Sequence, residues 1–416
     1  MQQELITTIH GDISLHNRTV GTGIHLTAYR GERLLPVRML KRKKDSYIML
    51  KDKIKEYITN KEINIPESDW TQLKKEFSKD DIILALATLI AEEEIQMPLT
   101  KISLEEALLA EKELSELKTS IKDGEFYTRY EDESILSNSY FDESNKYNVA
   151  SNYFHQYNRF MCDSINSPSP YRVFHDVKFA KSMCGALFSL KCKEVNTNTL
   201  FSCLSLRKYV ASQFKPSVAK AIYDYFHAER VVDLCAGWGD RLAGFYASNY
   251  GKSYFGIDAN KNLQEGYSAQ IKEYSKLFPE KTAQVVYGAT EDENIILPEC
   301  DFIFTSPPYF GIEKYSKDDK QSYLRYRKID KWLEGFLFPI IKKSKKALIN
   351  GGHLALNISD VYMHHQVNEI CHPMITYAES IGLKLTAVYG MKMAKRVNSK
   401  SSQNGVFCEP IYVFEK

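Results

Sequence analysis

RVVDLCAGWG, residues 230–239, joins a short apolar run to two closely spaced glycines. Residues 230–234 read as a strand. Gly237 and Gly239 set a tight turn just beyond it, where the backbone lets a ligand come close. Asp258 follows at the end of the next apolar run, 254–257. Further runs at 284–287, 301–305 and 353–358 alternate with helical stretches such as 263–277 and 332–348. That alternation predicts an α/β fold, a Rossmann-like doubly wound parallel sheet over residues 200–416, with its ligands at the carboxyl ends of the strands.

The turn departs from the dinucleotide fingerprint G-x-G-x-x-G, because Leu242 stands in the place of the third glycine. A carboxylate such as Asp258 accepts hydrogen bonds from both hydroxyls of a ribose. That suits any adenosine cofactor, so on these two features NAD stays open. Gly251-Lys252-Ser253 is no phosphate loop: Tyr246 replaces its first glycine, and an apolar strand follows instead of a helix.

Around this core lies an ordinary globular composition, 416 residues with 44% hydrophobic and 26% charged, which disfavours collagen-like, wholly disordered and membrane-spanning chains. IILALATLIA, residues 82–91, is about half the roughly 20 residues needed to cross a bilayer and reads as a buried helix. The first residues lack a basic segment followed by an apolar one, so no secretory signal is expected. Eight cysteines without a CxxC pair point to a reducing, cytoplasmic setting and against a disulfide framework or a zinc ribbon. Net charge is only +2, but residues 1–200 carry −3 and the remainder +5. Residues 101–145, with 5 basic and 12 acidic side chains, would repel phosphate.

Residues 1–145 read as an accessory region that is mainly helical from 45, and 146–199 as a connecting segment packed on the catalytic domain. The cluster Arg38, Lys41, Arg42, Lys43 and Lys44 reads as a solvated face. Ser103 and Glu106 form a capping box, and Leu104, Ala107, Leu108, Leu114, Leu117 and Ile121 follow along one helical face up to Gly124. Residues 127–160 interleave aromatics with amides, which suits either base stacking or a linker folded on its neighbour.

Thr305-Ser306-Pro307-Pro308-Tyr309 directly follows the fourth apolar run. Two prolines fix φ, remove two amide donors and leave a stiff loop with exposed carbonyls. The Ser306 hydroxyl and Pro307 carbonyl are then acceptors for an exocyclic amine, and Tyr309 offers a face on which a planar base stacks.

On these residues the chain resembles the S-adenosylmethionine-dependent DNA amino-methyltransferases, over about residues 200–416. Ser306 to Tyr309 matches the family's [DNS]-P-P-[YFW] catalytic loop, in the form commoner among N4-cytosine enzymes. The resemblance implies a methyltransferase sheet with S-adenosylmethionine as cofactor. It assigns Asp233, Ala236, Gly237 and Gly239 to the cofactor turn, Asp258 to the ribose, Glu291 to the adenine, and Phe214 and Pro216 to an element closing over the methionine part. It also implies DNA as partner, with transfer to cytosine N4 of a base flipped out at a cost of about a few kcal/mol. The alternatives are an N6-adenine DNA or RNA methyltransferase and a catalytically silent nucleic-acid-binding subunit. No proline is followed by cysteine, which disfavours methylation at carbon 5. Lys392, Lys395, Arg396 and Lys400 are candidate phosphate contacts. Asn357 and Asp360 sit at a strand end as candidate supporting groups. His353, His364, His365 and His372 read as structural, and no metal or membrane is expected.

Overall fold

The computed structural model describes residues 13–20, 23–30, 33–35, 37–129, 138–164, 167–363, 365–393 and 405–416. Seven strands form the body of the main sheet: β1 (Arg230–Asp233), β2 (Ser253–Asp258), β3 (Thr282–Tyr287), β4 (Cys300–Thr305), β5 (Leu348–Asn357), β6 (Lys384–Lys392) and β7 (Val406–Glu415). Their order is 3-2-1-4-5-7-6. The first five are parallel, and β7 runs antiparallel between β5 and β6. The direction of winding therefore reverses between β1 and β4, the place where a doubly wound sheet opens a crevice beyond its carboxyl ends.

Successive residues of each strand feed opposite faces, as a period of two requires. Val232, Ile303, Leu354 and Leu356 join one buried core, whereas Val231, Phe302, Phe304 and Ala355 join the other. Both faces are covered by helices, so these strands are apolar throughout instead of alternating. The Rossmann-like α/β fold expected from residues 230–358 is thus the fold observed.

Among the described residues the longer helices that accompany the sheet are α1 (Leu104–Glu116), α2 (Val149–Phe160), α3 (Pro216–Tyr225), α4 (Asp240–Ala247), α5 (Gln264–Leu277), α6 (Phe338–Ala347) and α7 (Cys371–Ser380). α1 carries the expected capping box, with Ser103 Oγ accepting from the Glu106 amide at 3.1 Å and Glu106 accepting from the Ser103 amide at 2.7 Å. It stops at Glu116, well before Gly124, because residues 121–123 leave the helix as a strand paired with Ser139–Phe141. That small strand pair extends the sheet beyond β6.

By packing, the chain divides into two units, residues 1–98 with 173–207 and residues 99–172 with 208–416. This differs from the linear partition expected at 145 and 199, since α1 and α2 belong with the main sheet. The first unit contains a three-stranded antiparallel meander (Ile13–Val20, Gly23–Arg30, Arg33–Leu35) and helices that begin at Val37. Its helix Lys79–Glu92 contains the apolar run anticipated as buried, and Ile82, Ala85, Leu86, Leu89 and Ile90 are fully buried. Among the described residues no helix is long and apolar enough to cross a membrane.

α3 and α4 approach closely because residue 244 is glycine. A Cβ there would lie 2.5 Å from Ala219 Cβ and 2.8 Å from both the Lys220 nitrogen and the Pro216 oxygen. Gly244→Ala should therefore cost about 1–3 kcal/mol through overpacking. Urea denaturation would detect this as a lower midpoint at unchanged slope, and an unchanged midpoint would show that the two helices part freely.

Candidate active site

The turn after β1 is built by its neighbours. The Cys235 amide donates to Thr305 Oγ1 at 3.0 Å and the Ala236 amide to the Ile257 carbonyl at 2.8 Å, which ties the tips of β1, β2 and β4 together. Gly237 and Gly239 take φ of 65° and 72°, the left-handed region that side chains disfavour. The Gly237 amide donates to Asp258 Oδ2 at 2.8 Å, and the Asn260 amide donates to Oδ1 at the same distance. Burial pushes the Asp258 carboxyl up to about 6, against the pull of these two amides.

Gly239 has a second reason to be glycine. A Cβ would sit 2.2 Å from Gln270 Oε1 and 2.7 Å from the His155 ring. Gln270 Nε2 donates to the Gly239 carbonyl at 2.9 Å, so its Oε1 is free to accept from His155 Nε2, also at 2.9 Å. Burial holds His155 near pKa 4 and therefore neutral, with the proton assigned to Nε2 by this network. α2, whose sequence suited either base stacking or a linker, in fact fixes the turn from beneath through a polar face containing Ser151, His155 and Arg159.

The turn and the loop after β4 open into one cavity of about 200 Å³, several times the roughly 30 Å³ share of one water. Phe214, Gly237, Asp258, Glu291, Ser306, Pro307, Pro308 and Tyr309 all line it. The structure therefore brings together the expected catalytic loop and four of the eight expected cofactor residues. Pro216, Ala236 and Gly239 act behind the lining. Pro216 opens α3 at its first turn, where its missing amide costs nothing.

Asp233 departs from its expected role. It is fully buried, and Arg241 Nε donates to its Oδ2 at 2.8 Å while the Tyr254 hydroxyl donates to the same oxygen at 2.8 Å. Arg241 also donates to the Cys235 carbonyl and lies 5.5 Å from the Phe214 ring centre. Burial works against the Arg241 charge and Asp233 more than offsets it, so the guanidinium stays protonated. Asp233 supports the turn from inside the protein and does not reach the cavity.

Glu291 does face the cavity, with burial raising its carboxyl and Arg325 Nη1 donating to it at 3.1 Å. Asn357 spends its amide on the Pro410 carbonyl at 3.0 Å, holding β7 to the end of β5. Asp360 accepts the amides of Ile370 and Cys371 at the start of α7, a capping role. Lys392, partly exposed, shares the Asp142 carboxylate with Lys122, each at 2.8 Å, and does not line the cavity. Lys395, Arg396, Lys400 and His364 lie outside the described residues. Among the described residues no three His, Cys, Asp or Glu side chains converge as a metal site.

Several lining groups carried no assignment in the sequence reading, Glu409 and Asp240 among them, and Lys215 was read only as part of the segment 214–217. Glu409, inside an apolar run on β7, accepts a hydrogen bond from Tyr309 while burial raises its carboxyl. Lys215 donates to the carbonyls of Glu143 and Lys392 at 3.2 and 3.0 Å, which holds the segment before α3 against the end of β6.

No family model matches the chain, and no curated protein matches it in sequence. Similar solved structures include a methyltransferase from Pyrococcus furiosus, at 13% identity over 49% of this chain and 83% of that one, with a TM-score of 0.31. TrmN from Thermus thermophilus is 15% identical over 53% of each chain, with a TM-score of 0.32. A precorrin-6y C5,15-methyltransferase from Geobacter metallireducens GS-15 is 16% identical over 50% of this chain and 91% of that one, at 0.30. Likeness at this level carries no functional argument.

If Asp233 is structural, Asp233→Ala should strand a buried guanidinium and cost about 3–5 kcal/mol of stability. Chemical denaturation should show that loss. Native stability in this variant would return Asp233 to the ligand-binding residues.

Proposed function

We propose that this chain is an S-adenosylmethionine-dependent methyltransferase acting on the exocyclic amine of a nucleic-acid base, cytosine N4 in DNA. The observation that carries the reading is the convergence of Ser306-Pro307-Pro308-Tyr309 with Asp258 and the Gly237 turn in one cavity. The residues present fit the cofactor. The left-handed glycine turn leaves room for close backbone approach, and Asp258 keeps lone pairs for ribose hydroxyls beyond those its two amides use.

When bound, S-adenosylmethionine supplies an electrophilic methyl group. The protein's part is to hold the acceptor. The Ser306 hydroxyl and Pro307 carbonyl accept the two amine hydrogens, which makes the nitrogen lone pair more available, and the rigid Pro-Pro backbone fixes their separation. Tyr309 stacks on the base, and its hydrogen bond to Glu409 keeps the ring from turning away. Positioning of this kind lowers a barrier without any covalent enzyme intermediate. The carbonyl anchor and flat aromatic face favour a planar amine-bearing ring over an aliphatic acceptor.

Incubating the full chain with methyl-labelled cofactor and separate DNA and RNA pools, then analysing nucleosides by mass spectrometry, tests the reading. N4-methylcytosine from DNA is expected. N6-methyladenine would overturn the base, methylation of RNA alone would overturn the substrate class, and no labelled nucleoside in either pool would overturn the methyltransferase reading.

Tyr309→Ala should lose about 1–3 kcal/mol of base stacking. Transfer should fall while cofactor affinity holds. Equal loss of both would mean that the loop positions the cofactor instead.

A further inference from the structure

Glu409 lies on β7 between Cys408 and Pro410, which are buried, yet it lines the cavity and keeps partial exposure. The strand's period of two turns Cys408 to the opposite face, where Asp142, Lys215 and Lys392 surround it. On the cavity side the Tyr309 hydroxyl donates to the Glu409 carboxyl. The carboxyl therefore stands at the acceptor end of the site, beside the ring assigned to base stacking. Its register partner on β6 is the apolar Met391, another lining residue, and Asn357 of β5 spends its amide on the Pro410 carbonyl. Among the described residues the other charge that acts on it is that of the exposed Arg129.

The chemistry of the acceptor decides what an acid can do there. Once the Ser306 hydroxyl and the Pro307 carbonyl hold both amine hydrogens, the polar atoms left on a cytosine ring, N3 and O2, are acceptors. Adenine is alike, with N1, N3 and N7. An ionised carboxylate has no hydrogen to offer these atoms and would repel their lone pairs. A neutral carboxyl has one O–H donor and keeps acceptor capacity for the Tyr309 hydroxyl. Burial raises the Glu409 carboxyl and so favours that neutral form, while the charge of Arg129 works against it.

We propose that Glu409 recognises the flipped base, holding the Tyr309 hydroxyl on one oxygen and donating a hydrogen bond from the other to a ring acceptor. The proposal rests on the methyltransferase reading. It adds a contact to the ring itself, which the Ser306–Tyr309 loop, engaged with the amine and the flat face, does not supply.

Methyl transfer by the full chain to the nucleic acid that accepts it, followed from about pH 5.5 to 9, tests the proposal on wild type, Glu409→Gln and Glu409→Ala. Calorimetric cofactor binding checks that each variant is folded. Wild-type kcat/KM for the nucleic acid should fall on the alkaline side as Glu409 ionises. Glu409→Gln offers an N–H at every pH and an oxygen for Tyr309, so it should restore most of the transfer without the alkaline fall. Glu409→Ala should lose roughly 10-fold in kcat/KM, the scale of one lost hydrogen bond. That loss should persist in a Tyr309→Phe background, where a residue that merely held Tyr309 would no longer matter. Glu409→Gln as weak as Glu409→Ala, an alkaline fall that Glu409→Gln shares, or no cost of Glu409→Ala beside Tyr309→Phe overturns the proposal and leaves the methyltransferase reading intact. No transfer by wild type to DNA or RNA overturns both.

Discussion

Arg241 and Asp233 meet at the foot of the glycine turn, 4% and 0% exposed, and much of the site depends on that pair. Neither charge has water to share. Each is tolerable only because the other is there, and removing one partner leaves the penalty of burial unopposed. The guanidinium also gathers the Cys235 carbonyl and packs against Phe214, while the Tyr254 hydroxyl donates to the same carboxylate oxygen as Arg241 Nε. The end of β1, the start of α4 and a wall of the cavity are thereby fixed to one another. A turn held this way keeps Gly237 and Gly239 in left-handed conformations.

Above that floor the cavity sorts its acids by environment. Asp258 is engaged by backbone amides, Glu291 by an arginine, Glu409 by a phenol and Asp240 by a hydroxyl and an amide. Burial raises all four, but each faces different donors, so one small space can hold four carboxyl groups without their acting alike. The stiff loop after β4 completes the arrangement from the other side of the point where the winding of the sheet reverses.

Much of this was legible in the sequence because it is local. Residues 230–239 announce a strand and a turn by apolar run and glycine spacing, and 305–309 announce a rigid loop by consecutive prolines. Other features are not local. α2 buries Ser151, His155 and Arg159, so hydrophobic periodicity does not reveal which face is inside. The fate of Asp233 depends on Arg241, the second residue of α4, and on Tyr254, one strand away. Glu409 reads as an interruption in an apolar run until β7 is placed beside β5 and β6. The division into units likewise depends on packing between segments distant in the chain, such as α1 against α4, which no reading of composition along the chain supplies.

We propose that the carboxyl edge of this sheet is an adenosine-cofactor site organised by Asp258. Calorimetric titration of the full chain with S-adenosylmethionine, side by side with Asp258→Ala, tests it most directly. Binding of one equivalent to the wild type is predicted, weakened by about 1.5–3 kcal/mol in the variant, which also melts lower because the Gly237 and Asn260 amides lose their acceptor. No binding to the wild type, or equal affinity in the two proteins, would contradict it.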